Sequence, residues 1–134
     1  MLLRKMITVL ALTLTAGAAT AEWQLIGSNG KEFSIFADLD AARRAGSLTT
    51  VTELVTYGDP QPGRVTGRSY VSEKSLVEYD CSAKRARVIS TEQYTGDKAS
   101  GSVVFREANP AAPWMSVPTR TNMEVAWTRA CNKS

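Results

Sequence analysis

The chain has 134 residues, of which 16 are basic and 13 acidic, with two cysteines and no histidine. A formal charge of +3 is a near-balance, and it excludes the concentrated basic face that nucleic-acid binding requires. The missing histidine removes the commonest general base and the commonest metal ligand together.

Arg4 and Lys5 precede an uncharged, mostly apolar run from Met6 to Leu14, and Ala19-Thr20-Ala21 follows. That order is the pattern of a secretory signal peptide, with Ala16-Gly17-Ala18 as a second small-residue cleavage site. The apolar run is shorter than the ~20 residues needed to cross a bilayer. The expected organisation is a signal peptide over residues 1–21 and one domain over residues 22–134. Loss of Arg4 and Lys5 takes the 16 basic residues to 14 against 13 acidic ones, a net charge of +1. No cysteine precedes Cys81, so lipoprotein processing is not expected. The product is expected to be exported to the periplasm, the cell surface or the medium, with no transmembrane segment in the mature chain.

Glu22 to Ile26 places Trp23 and Leu25 on one face, the alternation of a half-buried strand. Gly27-Ser28-Asn29-Gly30 is a turn, and Glu32 to Ala37 alternates again, which completes a hairpin. From Asp38 to Gly46 the alternation stops. Asp38 can cap a short helical turn there, and Gly46 can end it. Leu48 to Tyr57 is rich in threonine and valine, with Val51, Val55 and Tyr57 on one parity and Leu48 and Leu54 on the other. It reads as a strand covered on both faces. Gly58 to Gly67, with two prolines, reads as loop. A strand gathers from Tyr70 to Cys81, and Ser82 to Lys84 forms a short connection. Arg85 to Tyr94 returns with Ala86, Val88, Ser90 and Tyr94 on one parity. Ser102 to Phe105 is a last short strand, and Asn109 to Pro118 frames Trp114 with three prolines in an extended crossing. Thr121 and Glu124 form a capping box for the one convincing helix. Met123, Ala126, Trp127, Ala130 and Cys131 make its single apolar stripe. The expected fold is α+β, a small antiparallel sheet of about six strands with one C-terminal helix packed on it.

Two cysteines in an exported chain predict one disulfide, Cys81 to Cys131. Cys81 lies on the apolar parity of its strand and Cys131 ends the helix stripe, so the bond is expected to rivet helix to sheet. Both thiols are then spent. No phosphate-binding loop, nucleophile elbow or calcium loop is present, so no catalytic residue, metal ligand or cofactor is assigned. Asp38 with Asp40 reads as local capping, and Glu78 with Asp80 as a solvated strand face. Lys84, Arg85 and Arg87 have two readings, surface solubility or a docking patch for an acidic partner or sulfated polymer. Trp23 and Trp127 read as core, while Trp114 is either folded over the sheet edge or an exposed anchor for a partner. Lys84, Arg85, Arg87 and Trp114 are therefore the candidate partner-binding residues.

From Trp23 onward the chain resembles the bacterial surface-adhesin protein E family. The resemblance rests on Trp23-x-x-Ile26-Gly27, on Asp38 with Arg43-Arg44-x-Gly46, and on the valine-rich strand ending in Tyr57. It continues through Glu78-Tyr79-Asp80-Cys81 with Arg85 and Arg87, Tyr94-x-Gly96, Pro113-Trp114 with Pro118, and Ala130-Cys131. It implies an antiparallel sheet of about six strands tied to a C-terminal helix by a disulfide. It also implies a non-enzymatic module that binds host or extracellular-matrix proteins, and a homodimer. The alternative is a periplasmic envelope protein with a structural or stress role and no host ligand.

Overall fold

A computed structural model describes residues 20–133, so residues 1–19 of the expected signal peptide lie outside the described residues. Seven strands form one antiparallel sheet: β1 (Gln24–Ser28), β2 (Phe33–Ala45), β3 (Leu48–Pro62), β4 (Ser69–Asp80), β5 (Arg85–Tyr94), β6 (Val103–Ala108) and β7 (Met115–Ser116). The first six are neighbours in chain order, and β7 pairs with β5 beyond the stretch that β6 occupies. One helix, α1 (Asn122–Cys131), follows. The α+β class therefore holds, but the sheet is larger than about six short strands and the helical share is small. No helix among the described residues is long and apolar enough to cross a membrane.

Most of the difference comes from insertions in register. The span from Asp38 to Gly46 is strand rather than a short helical turn. Asp38 pairs with Thr52 and Arg43 with Thr50, so residues 39–42 bulge opposite Val51 alone. Asp38 still caps locally, its Oδ1 accepting from the Ala41 N–H at 3.3 Å, and the bulge drives Leu39 into the core. Gly46, at φ +62°, turns the hairpin into β3. Pro60 and Pro62 likewise belong to β3 rather than to a loop. Thr56 pairs with Ser72 and Gln61 with Tyr70, and on the other side β2 pairing ends at Phe33–Tyr57. Past that point no β2 strand asks the prolines for an N–H, which is the condition for proline in a sheet. A third insertion, Ile89, separates Val77–Val88 from Leu76–Ser90. It moves Ser90 and Tyr94 to the face opposite Ala86 and Val88, breaking the single parity expected for β5. At the first strand Leu25 is 55% exposed while Ile26 is buried: Leu25 pairs with Phe36, which alternation puts on the face away from the core residues Ile35 and Ala37.

The helix lies on the face formed by Ala37, Val51, Val77, Tyr79 and Ala86, with Ala126 and Ala130 against the sheet and Met123, Trp127 and Cys131 around them. Thr121 Oγ1 accepts from the Glu124 N–H at 3.2 Å, and Glu124 Oε1 accepts from the Arg120 N–H at 3.2 Å. The capping box thus forms, with its return arm one residue upstream. The Cα atoms of Cys81 and Cys131 stand 5.5 Å apart across their disulfide, fixing the turn after β4 to the end of α1. Trp127 Nε1 adds a hydrogen bond to the Asp80 carbonyl at 3.0 Å. The opposite face is covered at one end only. There the segment after β5 makes a 3₁₀ turn, Asp97–Ala99, over Leu54 and Ser72. Ser72 Oγ donates to the Gly96 carbonyl at 2.6 Å and accepts from the Ala99 N–H at 2.9 Å. The other end of that face carries charged residues of β4 and β5.

Candidate functional site

On the end of that face away from the 3₁₀ turn, alternation places Glu78 and Asp80 of β4 beside Arg87 and Arg85 of β5. The cross-strand pairs are Glu78–Arg87 and Asp80–Arg85, the arrangement in which opposite charges on one sheet face meet. Arg87 reaches Glu78 at 2.7 Å and Arg85 reaches Asp80 at 2.9 Å. Ser82 donates to Asp80 through its hydroxyl at 2.7 Å and its N–H at 3.0 Å. These hydrogen bonds, Ser82 foremost and Arg85 after it, hold the Asp80 carboxyl below the usual carboxylate range against the opposing effect of burial. Glu78 and Asp80 are therefore not a solvated face: both are largely covered, and each is neutralised by an arginine.

Trp114 reaches this surface because β7 continues the sheet edge. Met115 pairs with Ala86 and Ser116 with Arg85, and the Val117 N–H donates to the Lys84 carbonyl at 3.1 Å. Trp114 thereby falls alongside Arg87. Its ring lies 4.4 Å from the Arg87 guanidinium carbon and 4.7 Å from that of Arg85. Contacts of this kind contribute about 0.5–1 kcal/mol each at partly exposed sites. The tryptophan is half-buried and within cation–π distance of two guanidinium groups, each of which is also paired with a carboxylate. Trp114 lies over the sheet edge beside β5 and keeps part of its surface in solvent.

Lys84 does not join this cluster. It sits in the turn at φ +44°, its ammonium pairs with Glu124 on the helix side, and it lies 5.8 Å from the Trp127 ring. Three basic residues within four positions of sequence are thus split between the two faces of the sheet. Trp127 packs against the core as expected, whereas Trp23 precedes β1 and lines a hollow on the opposite face with Asp38, Thr52, Lys74 and Lys98. No cluster of three or more histidine, cysteine or acidic groups able to hold a metal occurs among the described residues.

A second feature lies under the helix. Val51, Glu53 and Val55 share one face of β3, and Glu53 Oε1 accepts a hydrogen bond from the Tyr79 hydroxyl. Burial pushes the Glu53 carboxyl up to about 7 from its ordinary 4.5, only partly opposed by the Tyr79 bond. Burial and the Glu53 charge also push the Tyr79 phenol up. The sequence carried one signal of this pair: Glu53 interrupts an apolar parity that Val51 and Val55 otherwise share.

The profile of the surface-adhesin protein E family matches residues 23–132, almost the entire described chain. A search of curated proteins returns no match.

Proposed function

The chain belongs to the surface-adhesin protein E family, and from that premise we propose that it is an exported, non-enzymatic binding module for a host or extracellular-matrix protein. Contact is made through the sheet face around Trp114, Arg85 and Arg87. The observation that carries this reading is the Arg85–Trp114–Arg87 cluster, a half-buried aromatic ring at the sheet edge in contact with two carboxylate-paired arginines. Tryptophan and arginine dominate interface hot spots, and a side chain already ordered loses little entropy on docking. Glu78 and Asp80 offset both guanidinium charges. The cluster therefore suits a protein surface better than a sulfated polymer, which needs uncompensated positive charge.

The protein as processed by the expressing cell, immobilised and titrated with soluble matrix proteins in biolayer interferometry, tests this. Saturable binding weakened at least about tenfold by Trp114→Ala, but not by Lys84→Ala, is the expected result. No saturable binding, or equal binding by the Trp114 variant, overturns it. Export itself is tested by the mass of the mature protein, expected to begin at Glu22, and protease treatment of intact cells separates surface display from periplasmic residence. Edge-strand pairing through β1 would give a homodimer, and a monomer mass in light scattering excludes that.

A further inference from the structure

Beneath the first turn of α1 lies a cleft of about 320 Å³, lined by Ile35, Glu53, Val55, Thr121, Met123 and Ala126, with Asn122 also at its wall. It is at the small end of the volumes that hold low-molecular-weight ligands. The wall is mainly aliphatic, and Glu53 is the only charged residue in it. One Glu53 oxygen is taken by Tyr79, and the other has no hydrogen-bond partner among the described residues. That second oxygen is not sealed away, since no buried polar side-chain atom among the described residues lacks a partner. Glu53 is among the residues that line the cleft. A carboxylate with one free oxygen at the base of an apolar cleft is complementary to a cation carried on a hydrocarbon chain.

We propose that this cleft is a binding site for a small amphipathic amine, its ammonium group on the free oxygen of Glu53 and its alkyl chain against Ile35, Val55, Met123 and Ala126. Three features support an amine over a neutral apolar guest. The lining holds no basic residue, so nothing in the protein competes for the carboxylate. Tyr79 holds the carboxylate from below, so the free oxygen is fixed in place before the ligand arrives. Thr121 at the helix start adds a hydroxyl to the lining; it already accepts from the Glu124 N–H and donates to the Pro118 carbonyl, which leaves one lone pair for an ammonium with three donors. The site lies on the face opposite Trp114, so it stands or falls independently of the proposed protein contact.

The probe is n-hexylamine at pH 8, where the Glu53 carboxyl is ionised and the amine is still protonated, followed by the methyl resonance of Met123 in the full exported protein, with n-hexanol as its neutral match. Glu53→Gln keeps the side-chain shape and an oxygen for Tyr79 while removing the charge. A saturating shift of the Met123 methyl by hexylamine is expected. Binding of hexanol to the wild type, and of hexylamine to Glu53→Gln, is expected to be weaker by about tenfold or more, the range for losing a hydrogen bond to a charged group. Absence of a Met123 shift overturns the proposal. So does equal binding of amine and alcohol by the wild-type protein, which requires no variant to fold.

Discussion

Replacing Glu53 with glutamine should change how stability depends on pH, and its size follows from the environment of the carboxyl. Glu53 lies on the helix-covered face of β3, bonded to Tyr79, with its carboxyl raised from 4.5 to about 7 by burial. In the native state it therefore holds its proton over a range where the unfolded chain has released it. The native state binds more protons than the unfolded state between those two values, so stability falls as pH rises through them. The penalty is absent below about 4.5, grows across the interval, and is complete above about 7. Each tenfold difference in proton affinity between the two states is worth about 1.4 kcal/mol. The full penalty is then roughly 3 kcal/mol, most of which develops between pH 5 and pH 8. Glutamine keeps the oxygen that accepts from Tyr79 but cannot ionise. Urea unfolding of both proteins at pH 5 and pH 8 isolates the effect, because every other titrating group is common to the two. The variant should gain about 2–3 kcal/mol on the wild type as pH rises from 5 to 8. A difference that stays within about 0.5 kcal/mol at both pH values would refute the placement of a charged carboxylate under the helix.

Three further results are expected. Replacing both Cys81 and Cys131 with serine opens a link across a separation of 50 residues. It should cost up to about 4 kcal/mol by loop entropy, read as a lower urea midpoint, with amides of α1 losing exchange protection first. An unchanged midpoint would show that nothing depends on the link. Leu54 is fully buried where the Asp97–Ala99 turn covers the second face, so Leu54→Ala should cost about 2–5 kcal/mol in chemical denaturation. A cost under about 1 kcal/mol would mean that face is open to water. A Cβ on Gly58 would collide with the Lys31 carbonyl oxygen. Gly58→Ala should therefore destabilise by roughly 1–3 kcal/mol in the same assay, and a neutral result would contradict the close approach of β3 to the β1–β2 turn.

Surface-adhesin protein E membership and the disulfide framework were legible from residue order alone. The candidate site was legible only as a set of members. Arg85, Arg87 and Trp114 stand out by type, yet nothing local in residues 109–118 says that Met115 will pair with Ala86 and carry Trp114 onto the arginines. Lys84 is inseparable from Arg85 by sequence. A left-handed turn residue sends it to the helix instead, where Glu124 is its partner. Glu53 could be noticed as a charge on an apolar parity, but its partner Tyr79 lies 26 residues away on another strand.

Local periodicity and capping were enough for the β1–β2 and β4–β5 hairpins, the helix with its Thr121 cap, and the apolar stripe that puts Cys131 toward the sheet. These depend on neighbours within one turn or one strand, and such neighbours are written consecutively in the chain. Only the tertiary structure decided the bulges at 39–42 and 57–60, the extra residue Ile89, and the seventh strand. An insertion in register is settled by what the adjacent strand offers across the ladder: Val51 opposite four residues of β2, or Val71 opposite four of β3. That competition between distant segments assigns every later side chain to a face. It is why the same arginines, tryptophan and glutamate could be read from the sequence while their two separate surfaces could not.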